Sequence, residues 1–130
     1  MDPSEVLSRN LDSVPLIDEA IFAQVRDIPD LFNDIVASVQ EKITKLQGLR
    51  HQEVFTAETM KDFGDTAHSL KSGMSVVGCS RLSALCNKIE LLGRPGPNQD
   101  GMALINTYDT FMQPIIQETM TALQCRFYPQ

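Results

Sequence analysis

The chain has 130 residues and a net charge of −6. That length suits one domain with a core of its own. The acidic balance argues against nucleic acid or an anionic membrane as partner, since both favour a basic face. No apolar run approaches the ~18–20 residues of a membrane span, and the N-terminus lacks a basic-then-apolar signal pattern. A cytoplasmic protein is therefore expected. The three cysteines, Cys79, Cys86 and Cys125, lack the paired spacing of a zinc site or a disulfide framework. Cys86 falls among apolar positions and reads as a buried thiol.

The pattern is helical throughout, without a period-two segment. Residues 1–14 read as a loose tail. A short helix is expected from Pro15 to Val25, with proline in its first turn and Ile17, Ile21 and Val25 on one side. A second should run from Pro29 to Gly48, its apolar face built by Ile28, Leu31, Phe32, Ile35, Val39, Ile43 and Leu46. After a polar connection that includes His51, read as a surface histidine, Thr56 is the expected N-cap of a third helix. Met60, Phe63, Ala67, Leu70, Met74 and Val77 alternate spacings of three and four, as in a bundle seam. Gly78 should end that helix and Ser80 cap the next, which carries Leu82, Leu85, Ile89 and Leu92. Residues 94–101 form a loop rich in glycine and proline. The last helix passes through Ile105, Tyr108, Met112, Ile115, Met120 and Leu123, with a kink expected at Pro114. Four long amphipathic helices with short connections predict an all-α, antiparallel up-down-up-down four-helix bundle, with a short extra N-terminal helix.

Within the third helix, His68 points about 120° from the centre of the apolar stripe, at roughly 100° per residue. It should be at least partly exposed, with Gly64, Ser72 and Ser75 one or two turns away on the same face. Gly64 makes sense where something large must approach the imidazole; Gly73 is equally explained by packing against a neighbouring helix. If the chain turns near Cys79, His68 lies eleven residues before the turn and Glu90 eleven after it. In an antiparallel hairpin the two then sit at one height. A carboxylate there can accept the Nδ1–H of the imidazole and leave Nε2 as nucleophile. Lys71, one turn beyond, can place a positive charge beside a group carried on that imidazole. By residue type alone it serves equally well as a solubilising lysine.

The run Ala67-His68-Ser69-Leu70-Lys71-Ser72-Gly73, followed by Gly78, Leu82, Leu85, Ile89 and Glu90, resembles the histidine-containing phosphotransfer (HPt) family. The family pattern has a small residue before the histidine, an apolar residue two places on, lysine at three and a small residue at four. Glycine follows at ten, apolar residues at fourteen, seventeen and twenty-one, and often Gln or Glu at twenty-two. This sequence departs only mildly, at Gly73, where the family commonly has serine or alanine. The resemblance covers roughly two dozen residues; elsewhere the similarity is only in helical pattern and order.

The resemblance implies a phosphorelay intermediate. His68 would accept a phosphoryl group from a receiver-domain aspartate and pass it to a second receiver, with Lys71 stabilising charge and Glu90 orienting the ring. The expected partners are receiver domains of a hybrid histidine kinase and of response regulators. Docking is expected at Gly64, Asp65, Ser72, Ser75, Cys86 and Asn87. No cofactor of its own is expected, Mg²⁺ being supplied by the receiver, and the protein should be a monomer without autokinase activity. The main rival is a helical adaptor that binds a partner without phosphotransfer. A metal site is a weaker one, because no third ligand is placed to join His68 and Glu90.

Overall fold

The computed structural model describes residues 2–127. Among them every regular element is helical: α1 (Pro3–Asp12), α2 (Glu19–Arg26), α3 (Pro29–Arg50), α4 (Ala57–Val76), α5 (Ser80–Gly93), α6 (Gly101–Thr107), a π-helical turn (Tyr108–Met112) and α7 (Gln113–Phe127).

The expected loose tail is instead helix α1. The Asp2 carboxylate accepts the Ser4 N–H, Pro3 opens the first turn, and Leu11 is buried. The next helix does not start at Pro15. The Asp18 carboxylate accepts the N–H groups of Ala20 and Ile21 at 3.0 and 3.2 Å, so α2 begins only after it. Pro15 stays outside, its carbonyl accepting the Arg81 N–H.

Helix α3 opens with Pro29 as expected but runs past Gly48 to Arg50. Leu49, buried on the same side as Leu46, draws the helix on by two residues. The N-terminal end of its expected apolar face is not covered: Ile28 and Leu31 are 47% and 41% exposed. Thr56 caps α4 as expected, its Oγ1 accepting the Thr59 N–H at 3.1 Å. Gly73 lies against Val39 of α3, where an added Cβ would come within 3.1 Å of a Val39 methyl. Packing is therefore the observed role of this glycine.

At the end of α4 the N–H of Gly78 reaches Ser75 and that of Cys79 reaches Met74, a Schellman closure. Gly78 has φ +82°, and a Cβ there would meet the Asp18 carbonyl oxygen at 2.7 Å. Its own carbonyl accepts the Asp18 N–H, which ties the start of α2 to the turn. Because this turn is so short, α5 begins at once. Ser80 is its first residue, not its cap; Cys79 holds the cap position without a side-chain bond.

The loop after α5 ends at Asp100, which caps α6 through the Ala103 N–H. The irregularity expected at Pro114 takes the form of a π turn just before it, where the Gln113 N–H bonds the Tyr108 carbonyl five residues back. Pro114 has no N–H to give Thr110, and its ring would crowd that carbonyl in a regular helix. A bidentate pair from Arg50 to Asp109, at 2.9 and 2.7 Å, fastens the end of α3 to this turn. The interior is one apolar cluster, with Phe63 and Tyr108 packed edge to face at its centre, 5.1 Å apart.

Candidate functional site

The site is built on the register of α4 against α5. Among the side-chain pairs that cross between them, three stand level: His68 with Glu90, Lys71 with Asn87, and Ser75 with Ser83. They stand eleven, eight and four residues on either side of Cys79, so the two helices run antiparallel about that residue. The placement of Glu90 level with His68 follows directly from the short Schellman turn.

His68 Nδ1 lies 2.9 Å from Glu90 Oε1, while the imidazole side chain remains 59% exposed. Glu90 is only 17% exposed and holds more than the histidine. Its Oε2 accepts from Lys71 Nζ at 3.0 Å, and Arg94 lies 3.5 Å from Oε1. Burial pushes the Glu90 carboxyl up, but the Lys71 hydrogen bond and charge, with His68 beside them, outweigh it and hold the group below its ordinary value. An ionised acceptor places the imidazole proton on Nδ1 and leaves Nε2 with its lone pair.

Of the residues expected to face a partner, Asp65, Ser72, Ser75 and Asn87 are exposed. Gly64 and Cys86 are corrections, because both are buried. Gly64 faces the backbone of α5, where an added Cβ would come within 3.2 Å of the Glu90 carbonyl. What approaches the glycine is thus the neighbouring helix itself. Burial pushes the Cys86 thiol up to about 12, with Lys71 opposing, so it is an inert core group. His51 is exposed, as expected of a surface residue.

By sequence alone Arg94 reads as the first residue of the loop, outside the site. It sits four residues after Glu90, the spacing at which helical side chains meet, and that spacing was the available signal. Among the described residues no group of three or more His, Cys, Asp or Glu could hold a metal ion. No described helix is long and apolar enough to cross a membrane.

A family model described as the Hpt domain matches residues 30–124, which takes in almost all of α3 through most of α7. Comparison with curated proteins and with solved structures gives no match.

Proposed function

The chain belongs to the Hpt domain family, and on that footing we propose that it is a phosphorelay intermediate with His68 as its phosphoacceptor. Hpt domains are phosphotransfer modules of two-component signalling and are not autokinases. In this reading α3, α4, α5 and the α6–α7 segment form an antiparallel four-helix bundle. Its role is to hold one exposed imidazole at a fixed tautomer. The observation that carries the proposal is the 2.9 Å contact between Nδ1 of this exposed histidine and a largely buried carboxylate.

Nε2 attacks the phosphorus of a receiver's aspartyl phosphate. The N–P bond forms as the P–O bond to the aspartate breaks, and the carboxylate leaves with the electron pair. The ring then carries positive charge, with its Nδ1–H facing the Glu90 carboxylate. Reversal onto a second receiver's aspartate restores the neutral imidazole. Lys71 and Arg94, both near Glu90, make the surroundings of the reacting ring positive. Mg²⁺ and the acidic pocket belong to the receiver.

Exposed Asp65, Ser72 and Ser75 of α4 and Asn87 of α5 are the proposed contact residues. Chasing purified, labelled protein with a second, unphosphorylated receiver tests the relay. Label should move to the receiver. Label that stays on this protein, or leaves only as free phosphate, would refute onward transfer.

A further inference from the structure

Lys71 does not stand free beside the histidine. Its Nζ is bound to Glu90 Oε2 at 3.0 Å and faces the Asn87 amide oxygen at 3.4 Å. Glu90 offers its other oxygen to His68. The lysine side chain is 28% exposed, half the exposure of the imidazole. A carboxylate with one oxygen tethered this way cannot turn its second oxygen from Nδ1 without breaking a charge-assisted bond. Arg94, by contrast, is 61% exposed, and its 3.5 Å pairing with Glu90 is looser than the lysine's 3.0 Å bond.

From this geometry we infer that Lys71 is a positioning residue that acts through Glu90. Seated by Asn87, it fixes the carboxylate that fixes the Nδ1–H tautomer of His68. Its effect on the phosphoryl group is then indirect, and Arg94 is the cation free to swing onto the phosphoryl oxygens. The inference rests on His68 being the reacting group, but the orientation of the imidazole is measurable without any phosphotransfer.

The test is ¹⁵N NMR of the His68 ring in the unphosphorylated protein, above the pH at which the ring protonates. Wild type, Lys71→Met, Lys71→Arg, Glu90→Gln and the Lys71→Met/Glu90→Gln double variant are compared. Wild type should show Nδ1 protonated. Lys71→Met should move the ring towards the mixed tautomers of a free imidazole, and Lys71→Arg should restore the wild-type signature. In the Glu90→Gln background, adding Lys71→Met should change nothing further. The same non-additivity should appear in the transfer rate. An imidazole spectrum unmoved by Lys71→Met, or an equal effect of that substitution with and without Glu90, would overturn the inference. Failure of transfer in every variant would count against the relay reading and leave the tautomer result standing.

Discussion

Gly64 and Gly93 face each other where α4 crosses α5. A Cβ on Gly93 would stand 3.1 Å from the Gly64 nitrogen and would collide with the Met60 carbonyl oxygen. These two glycines let the helix backbones approach closely, one turn from His68 and three residues from Glu90. The helix separation that brings imidazole and carboxylate together therefore begins at this crossing.

Gly93→Ala should accordingly be destabilising by roughly 1–3 kcal/mol, since backbone has to shift. Gly64→Ala, whose nearest contact is 3.2 Å, should cost less, because the gain in helix propensity of about 1 kcal/mol offsets the crowding. Urea unfolding of the two variants checks the order. An equal or reversed effect would contradict the close-crossing account.

Glu90 makes stability depend on pH in a defined direction. Its folded-state pKa lies below the ordinary 4.5, so its stabilising contribution is fully present above that value. It is lost as the pH falls through the folded-state value. Asp109, held low by the Arg50 hydrogen bond, behaves with the same sign but is common to wild type and Glu90→Gln. The stability difference between those two proteins should therefore change below pH 4.5, with wild type losing more. Parallel denaturation curves through this range would contradict the assignment.

Much of this arrangement is legible in the sequence. The spacing of His68 and Glu90 about Cys79 identified the pair because a turn as short as Val77–Cys79 leaves an antiparallel register little freedom. Thr56 and Gly78 acted as read because each satisfies helix-end groups locally. The failures came where tertiary packing decided the outcome. An angular count along α4 placed Gly64 on the same face as His68 but could not show α5 lying against it. Gly48 alone signals a stop, whereas burial of Leu49 carries the helix onward. Only Val6, Leu7 and Leu11 give α1 an apolar side, although Asp2-Pro3 was a helix start in plain sight.

Helix α1 also yields a prediction. Leu11 is 4% exposed, so Leu11→Ala should cost about 2–3 kcal/mol, towards the low end for a buried leucine. The low end is expected because Leu11 borders a groove of about 210 Å³, where the neighbouring chain can relax. A shift in the denaturant midpoint measures it. A change below about 0.5 kcal/mol would mean that α1 does not pack on the protein in solution.

Thiol reactivity offers an independent check of the α5 packing. Burial pushes Cys79 and Cys86 up to about 12, while Cys125 is exposed. Native protein treated with an alkylating agent should take one label, on Cys125, and denatured protein three. Labelling of Cys86 at the rate of Cys125 would place α5 in a different rotation and remove Glu90 from His68.

The most direct measurement is transfer of labelled phosphoryl from a phosphorylated receiver domain to wild type and His68→Gln, side by side, with the label tested in acid and alkali. An acid-labile, alkali-stable label on wild type, absent from a folded His68→Gln protein, is the predicted result. Equal labelling of the two proteins, or none on wild type from any receiver of the same organism, would contradict it.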